Sequence, residues 1–233
     1  MLAELEQIRQ RYARRAACTG GKYDPLNPAV QMSLREREQA IARWSRLCDI
    51  APVESRSVIE IGCGTGNNLR DLLSLGFLPA NLTGNDLLPE RVEIARRTLP
   101  SGLCVVLGNA LDLQFPEGSF DVVYQSLVFT SILDRDFQQA LAARMWNWVK
   151  PGGGVLWYDF VYNNPWNRDV AGVPLRRIRQ LFPQGRLRYW RVTVAPPLTR
   201  LLVPAHPALY NIANCFPFLR THVLCWIRKD TRQ

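Results

Sequence analysis

The sequence lacks the patterns typical of membrane-spanning, disulfide-rich and metal-binding proteins. No apolar run approaches the roughly 18–20 residues of a membrane span. Residues 1–17 contain no apolar signal-peptide core, which predicts a cytoplasmic protein. The six cysteines form no CxxC pair, and none has metal-ligand spacing with His206 or His222. We therefore expect reduced, buried thiols and no metal site.

Lysine is almost absent, so the basic character of the chain comes from arginine. The chain has 29 basic and 20 acidic residues and a formal net charge of +9. A positive surface suits nucleic acids, anionic lipid headgroups or acidic small molecules, although a genomic preference for arginine codons explains the same composition. Hydrophobic residues make up 47% of the 233 positions, which is enough for one α/β domain with additions.

A glycine-rich turn between a strand and a helix is the strongest local pattern. Residues 57–61 are a short apolar run that predicts a buried strand, and Gly62, Gly64 and Gly66 follow at every second position before helical spacing begins at Asn67. Glycines allow a sharp turn and let a ligand approach the backbone. The dinucleotide-binding fingerprint requires glycine where this chain has Asn67.

Together with Glu60, these glycines form the pattern Glu-x-Gly-x-Gly-x-Gly. This pattern resembles the first motif of the class I S-adenosylmethionine (SAM)-dependent methyltransferases. The resemblance implies that SAM is the cofactor and S-adenosylhomocysteine the product. It also implies that Glu60 orients the methionine moiety and that the glycine turn carries it. An ordinary glycine connection in an α/β protein is the alternative for this turn taken alone.

Two later strand ends carry residues suited to a bound nucleoside. Asp86 ends the second predicted strand about twenty residues after the glycine turn, where a strand-end carboxylate accepts hydrogen bonds from ribose hydroxyls. Leu87 and Leu88 follow it and offer an apolar face for adenine. The resemblance implies that Asn109 contacts the adenine amino group and that the backbone N–H of Ala110 contacts the ring.

The resemblance extends over residues 57–161. Residues 108–121 match the family's pattern from Gly-Asn-Ala to Ser-Phe-Asp, with Gln114 where proline is usual. The family also uses the backbone near Gln125, at the end of the fourth strand, against the methionine amino group. Lys-Pro-Gly-Gly at positions 150–153, between a helix and the fifth strand, is a further hallmark.

The predicted fold is a seven-stranded, mostly parallel, Rossmann-like α/β sheet. We expect an N-terminal helical cap over residues 1–52, a SAM-binding domain over 53–233, and an insertion before the last strand. The predicted helices cover residues 2–17, 33–48, 67–75, 89–99, 136–149 and 173–182. The predicted strands cover residues 57–61, 81–86, 103–107, 121–125, 155–161, 186–195 and 221–229.

The remainder of the chain must select the acceptor, because the family has no fixed substrate signature. Residues 162–167 form a polar and aromatic loop beyond the fifth strand. Residues 196–220 are an apolar, proline-broken insertion that either packs as a lid or holds an apolar or membrane-linked substrate. We expect the acceptor to contact Tyr23, Thr130, Tyr158, Tyr162 and Arg176.

Methyl transfer from SAM needs mainly in-line positioning, because the sulfonium is already activated. An alcohol acceptor additionally needs a base to remove its proton. By position, we expect Asp159 at the end of the fifth strand to be this base. Tyr158, His206 in the insertion and His222 at the start of the seventh strand are alternatives, and a purely structural role is open for each.

These patterns predict an enzyme that methylates a small molecule, preferentially at oxygen, such as a glycan, a lipid-linked sugar or a secondary metabolite. An anionic or lipid-linked acceptor would suit the arginines and the insertion and would allow peripheral contact with a membrane. Two alternatives stay open: an RNA methyltransferase, which only the charge favours, and an inactive SAM-binding regulator or scaffold. No nucleic-acid-binding module is recognisable, so we expect no DNA partner; the oligomeric state is not predicted.

Overall fold

The computed structural model describes residues 2–17, 24, 26–48, 50–164 and 167–231. The helices within these ranges are α1 (Leu2–Ala17), α2 (Pro28–Leu47), α3 (Asn67–Ser74), α4 (Pro89–Thr98), α5 (Arg135–Trp148), α6 (Leu175–Leu181), α7 (Pro196–Ala205) and α8 (Ala208–Asn214). The strands are β1 (Val58–Ile61), β2 (Leu82–Asp86), β3 (Cys104–Leu107), β4 (Phe120–Ser126), β5 (Val149–Phe160), β6 (Arg186–Val194) and β7 (Arg220–Arg228).

These strands form one sheet in the order β3-β2-β1-β4-β5-β7-β6. Strands β1 to β5 pair in parallel, and β7 runs antiparallel between β5 and β6. The seven-stranded, mostly parallel fold predicted from the sequence is therefore confirmed. The strand order reverses between β1 and β4, which is where open α/β sheets bind ligands beside the carboxyl ends of the strands.

Alternating residues along the strands build two hydrophobic cores, one on each face of the sheet. One face buries Ile59 and Trp157 together with residues of α5 and α6, and Ile8 of α1 joins this core. The other face is covered by α2, α3 and α4, and Trp44 of α2 contacts Trp226 of β7 with ring centroids 5.2 Å apart. The two N-terminal helices therefore pack on opposite faces of the sheet.

Helix α2 begins at Pro28 rather than at the predicted Ser33. Asn27 caps the helix, because its Oδ1 accepts a hydrogen bond from the N–H of Ala29 at 2.9 Å. Proline is well tolerated at the first helical position, where the missing N–H would have no intrahelical partner. The two prolines in residues 23–28 predict a loop from the sequence alone, which is why the predicted start at Ser33 was too late.

Strand β5 begins at Val149, where the sequence predicted the end of a helix followed by a turn. Its pairing with β4 shifts register close to the start of both strands, and Gly152 in this irregular segment has a φ of +83°. Lys150 Nζ lies 2.7 Å from Asp121 Oδ2 and ties the segment to β4. The Lys-Pro-Gly-Gly hallmark is thus a bulge within a strand.

The insertion folds as α7 and α8 around a third, smaller core. Val203 and Tyr210 are buried in this core with residues of β6 and α2. Glu36 of α2 fastens the unit to the sheet, since its Oε1 accepts from Thr193 N at 2.9 Å and its Oε2 accepts from the Tyr210 hydroxyl. Thr193 has a φ of +61°, so Glu36 also stabilises an unfavourable backbone conformation in β6.

The cysteines within the described ranges carry free thiols: Cys48, Cys63, Cys104, Cys215 and Cys225. The sequence predicted burial for every cysteine, but Cys104 and Cys215 are exposed. Cys104 begins β3 at the edge of the sheet, and Cys215 directly follows α8 on the outside of the insertion. Cys18 lies outside the described residues.

Candidate active site

A cavity of about 750 Å³ lies at the carboxyl edge of the sheet. Its walls come from the residues that follow β1, β2, β3, β4 and β5, from one face of α1, and from the starts of α7 and β7. Ligand sites in proteins span roughly 300–1,000 Å³, and this cavity lies in the upper part of that range. It therefore has room for a nucleoside cofactor and a second small molecule.

The glycine turn after β1 forms one end of the cavity. Gly62 lines the cavity with a φ of +69°, and a Cβ added to it would lie 2.5 Å from a neighbouring side-chain atom, so only glycine fits. Gly64 has a φ of +56°, and its N–H donates to Asp86 Oδ2 at 2.8 Å. Gly66 packs beside Leu99, outside the cavity wall. The turn therefore presents Gly62 to a ligand, while the other two glycines set the path of the chain.

Asp86 is almost fully buried, yet it lines the cavity. Its Oδ2 accepts from Gly64 N and its Oδ1 accepts from Leu88 N, at 2.8 and 2.9 Å. Each carboxylate oxygen keeps a second lone pair, so the side chain can still accept hydrogen bonds from two hydroxyl groups. Leu87 and Leu88 form an apolar wall beside it.

The residues after β3 complete this end of the cavity. Gly108 has a φ of +138° and open space where a side chain would project, so a ligand can lie against its backbone. Asn109 fixes the following turn: its Oδ1 accepts from Leu111 N at 3.2 Å, and its Nδ2 donates to Asp112 Oδ2 at 3.1 Å. This turn presents Ala110 to the cavity. A carboxylate acceptor, an apolar wall and an open backbone fit the ribose and adenine of SAM.

Two of the predicted cofactor residues, Glu60 and Gln125, lie behind the cavity wall. Both side chains are fully buried. Glu60 accepts a hydrogen bond from Asn68 of α3, and burial raises the pKa of Glu60 to about 8. Gln125 Oε1 accepts from Val128 N at 3.1 Å. The structure thus places these two side chains as supports of the turns that follow β1 and β4, because both point from their strands into the protein interior.

The turn after β4 supplies cavity residues that the sequence did not single out. Leu127 has a φ of +61°, a backbone conformation that residues other than glycine rarely adopt. Its N–H donates to Tyr158 O at 2.9 Å. Leu127 and Val128 both line the cavity. Backbone strain of this kind clusters at ligand-binding turns, but no sequence pattern signals a positive φ at a leucine.

Asp159, the predicted base, is fully buried beneath this turn and outside the cavity wall. Its Oδ2 accepts from Thr130 N at 3.2 Å, and its Oδ1 accepts from Phe160 N at 3.1 Å. Burial raises the pKa of Asp159 to about 7. The structure therefore places Asp159 as a brace behind Thr130, which does line the cavity, and does not bring the carboxylate to an acceptor.

Replacing Asp159 with Asn should change how the stability of the protein depends on pH. A buried carboxyl with a raised pKa holds a proton in the folded state, so its stabilising contribution is complete below about pH 4 and is lost as pH rises through about 7. Asn does not titrate, so the variant does not lose this contribution as pH rises. From pH 5 to pH 8, the difference in unfolding free energy between the variant and the wild type should therefore shift in favour of the variant by on the order of 3 kcal/mol. Urea denaturation at both pH values measures this difference.

The matched control for this experiment is Asp134→Asn. Asp134 caps α5, and hydrogen bonds from the N–H groups of Phe137 and Asp136 lower the pKa of its carboxyl. A lowered pKa changes stability only in acid, so this control should follow the wild type between pH 5 and pH 8. Equal pH dependence of Asp159→Asn and the wild type would contradict a protonated Asp159 in the folded state.

His222 is the predicted catalytic residue that the structure brings to the cavity. It lies in the wall beside Thr221 and Phe160, and its ring stacks on Tyr158 with centroids 5.2 Å apart. Its Nδ1 lies 3.0 Å from Thr221 Oγ1. Burial, and then the positive charge of Arg37, lower the pKa of His222 to about 4. The imidazole is therefore neutral near pH 7 and can accept a proton, but a pKa this far below 7 also makes it a weak base.

Three other predicted residues lie away from the cavity. Tyr158 is buried on the side of the sheet that α2 covers, where its hydroxyl lies 2.8 Å from Thr193 Oγ1. His206 is exposed, and its Nδ1 accepts from Ala208 N at 3.1 Å. Arg176 is exposed on α6. None of these three side chains forms part of the cavity wall.

Helix α1 forms part of the cavity wall through Leu5, Ile8 and Tyr12. A buried ion pair between Arg11 and Glu4 holds it in place, with 2.5 Å between Nη2 and Oε1. This pair is anchored to the segment after β4, because Glu4 Oε1 accepts from the N–H of residue 133 at 2.9 Å and Arg11 donates to the carbonyl of residue 131 at 3.1 Å. Helix α1 is thus attached to the segment after β4 that lines the cavity.

Arginines do face the cavity, but they are not those of α6. Arg91 and Arg200 line it, and the Arg91 guanidinium lies 4.5 Å from the ring centroid of Tyr12. Tyr162 also lines the cavity, and its hydroxyl accepts from Arg191 at 2.8 Å. Tyr23 lies outside the described residues. An anionic part of a ligand would therefore meet arginines of α4 and α7.

The chain is similar to proteins that are named as methyltransferases. The chain is 31% identical over 161 residues to a phthiotriol/phenolphthiotriol dimycocerosates methyltransferase of Mycobacterium ulcerans, covering 67% of this chain and 58% of the relative. It is 38% identical over 136 residues to a fatty-acid O-methyltransferase of Mycolicibacterium smegmatis, covering 56% and 47%. The chain thus spans about half the length of these relatives.

A solved structure shares the fold. The SAM-dependent methyltransferase of Mesorhizobium loti superposes with a TM-score of 0.59 at 17% identity, covering 82% of this chain and all of that one. Residues 58–153 match the sequence family described as "Methyltransferase domain". The resemblance to SAM-dependent methyltransferases predicted from the glycine turn and the motifs after it is confirmed for this stretch of the chain, which forms a methyltransferase domain.

Proposed function

We propose that this protein transfers a methyl group from SAM to an oxygen atom of a small, largely apolar molecule. One observation carries the proposal: the same cavity has the Asp86 carboxylate in its wall at one end and the imidazole of His222 elsewhere in its wall. The cavity walls as a whole are mainly apolar side chains. Such a cavity suits a polar cofactor beside a less polar acceptor.

At the cofactor end, Asp86 would accept hydrogen bonds from the ribose hydroxyls, and Leu87 and the backbone of residues 108–110 would hold the adenine. Gly62 leaves space for the methionine part. When bound, SAM supplies a methyl group on a positively charged sulfur that needs no further activation. The protein's contribution there is to bind and orient, which is the larger part of catalysis for this chemistry.

At the acceptor end, His222 removes the proton of a hydroxyl group. In the tautomer that carries its hydrogen on Nδ1 and donates to Thr221 Oγ1, Nε2 is left to accept that proton. Leu127 and Val128 confine the acceptor between this imidazole and the glycine turn. Helix α1 excludes water from the site, which favours a proton transfer to the imidazole over exchange with solvent.

The acceptor class we propose is a lipid-like alcohol or phenol. The apolar walls support it, and so do the names of the two relatives, which state a phenolphthiotriol dimycocerosate and a fatty acid as substrates. Arg91 and Arg200 suit a carboxylate or phosphate at one end of such a molecule. An RNA acceptor has only the net charge in its favour.

An assay with methyl-labelled SAM distinguishes a lipid-like acceptor from an RNA acceptor and from an inactive SAM-binding protein. The protein is incubated with labelled SAM and a total cell extract, and the label is then measured in the solvent-soluble lipid fraction and in RNA. We expect label in the lipid fraction, unchanged by ribonuclease, and a methoxy group in the mass spectrum of the product. Label in RNA would support the RNA alternative, and SAM binding without any transfer would indicate an inactive binding protein.

A further inference from the structure

The outer face of the insertion is unusually apolar. Leu201 of α7 is 72% exposed and Phe218 is 73% exposed. Ile212 of α8 and Phe216 are also largely exposed, and the rings of Phe216 and Phe218 contact each other with centroids 5.7 Å apart. We call these four side chains the insertion surface. Apolar groups of this size on the outside of a protein usually mark a contact with a partner or a membrane.

The charge pattern around this surface indicates the kind of partner. No Asp, Glu, Lys or Arg occurs between Arg200 and Arg220, so an uncharged segment is bracketed by two arginines. The whole chain carries a formal net charge of +9. Apolar side chains flanked by basic residues are the combination that binds the headgroup region of an anionic bilayer.

The insertion surface lies next to the cavity. Pro196, Pro197 and Arg200, on the first turns of α7, line the cavity, and Leu201 follows directly with its side chain exposed. The same short helix therefore borders the binding site and the exposed apolar face. A ligand that leaves a bilayer beside Leu201 would therefore already lie next to the cavity wall.

We propose that the insertion surface docks onto an anionic lipid bilayer and orients the cavity toward it. Within the described ranges no helix is both long and apolar enough to cross a membrane, so the contact is an interfacial one. Leu201, Ile212, Phe216 and Phe218 enter the headgroup layer, and the net positive charge of the chain attracts it to the anionic lipid. Acceptors with an apolar tail then reach the site without passing through water.

Vesicle flotation tests this surface without any assay of methyl transfer. The full chain is mixed with vesicles of phosphatidylcholine alone or of phosphatidylcholine with phosphatidylglycerol. The wild type should float with the anionic vesicles, and less so at high salt. The double variant Leu201→Ser/Phe218→Ser should bind at least about tenfold more weakly, because two large apolar side chains no longer enter the lipid.

The matched control is Leu78→Ser/Ile94→Ser, which removes two exposed apolar side chains outside the insertion. This control should float like the wild type, and light scattering should give all three proteins the same mass. The proposal is overturned if the wild type does not bind anionic vesicles, or if both double variants bind equally well. It is also overturned if the wild type is a dimer that the insertion variant alone dissociates, because a second copy then covers the surface. Since flotation needs no acceptor, failure of the proposed methyl transfer leaves this result unaffected.

Discussion

Replacing His222 with Gln is expected to slow single-turnover methyl transfer by about 10²–10⁴-fold. Gln keeps a polar side chain of similar length but cannot take up the proton of an acceptor hydroxyl at neutral pH. The affinity for SAM should stay within about twofold, because the nucleoside-binding end of the cavity is unchanged. The measurement is a single turnover with saturating SAM, together with calorimetry of SAM binding.

The same experiment separates His222 from its competitors. His206→Gln is the matched control, because His206 is exposed and outside the cavity wall, and it should react at the wild-type rate. With the pKa of His222 near 4, the wild-type rate should be flat between about pH 6 and 8 and fall only in acid. If His222→Gln reacts at the wild-type rate, His222 is not the general base. If Asp159→Asn alone loses most of the rate, Asp159 is the base instead.

Replacing Asp86 with Ala is expected to weaken SAM binding by about 10–100-fold. The variant loses hydrogen bonds to a charged acceptor, worth about 1.5–3 kcal/mol. Binding of S-adenosylhomocysteine should fall by the same factor, since both molecules carry the same ribose. Calorimetry with both ligands measures the effect, and Glu90→Ala, an exposed acid in the first turn of α4, serves as the control that should bind normally.

Asp86 also accepts hydrogen bonds from Gly64 N and Leu88 N, so part of the loss could come from a loosened glycine turn. Asp86→Asn addresses this, because its one carbonyl oxygen can keep only one of the two backbone bonds while the turn stays polar. An intermediate affinity for this variant fits direct ribose binding. Unchanged SAM affinity in Asp86→Ala would remove the ribose assignment.

The elements with a local signal were predictable from the sequence. Glycines at every second position after an apolar run fix the turn at Gly62, and Asp86 follows from the distance to the next strand end. Both Gly62 and Asp86 line the cavity. Strands β6 and β7 were also recognisable, because their residues alternate or are continuously apolar and β-branched.

The positions that depend on the tertiary structure were not predictable. Glu60 and Asp159 stand at strand ends, but which face a strand presents to a cavity is decided by the packing of the helices around it. His222 could be named as a candidate, yet its low pKa depends on burial and on Arg37 of α2. The cavity arginines, Arg91 and Arg200, belong to helices far apart in the chain, and no spacing in the sequence relates them.

The buried side chains of α7 and α8 pack in the third core together with residues of α2 and β6, whereas Asp86 and the glycine turn lie beside the two main cores of the sheet. In evolutionary terms, the part of the cavity wall that α7 contributes can change separately from the glycine turn. On the proposed function, we expect substitutions or changes of length within residues 196–219 to alter which acceptor fits without repacking the proposed cofactor end. A lineage with this architecture would then diversify its acceptors while its methyl donor stays the same.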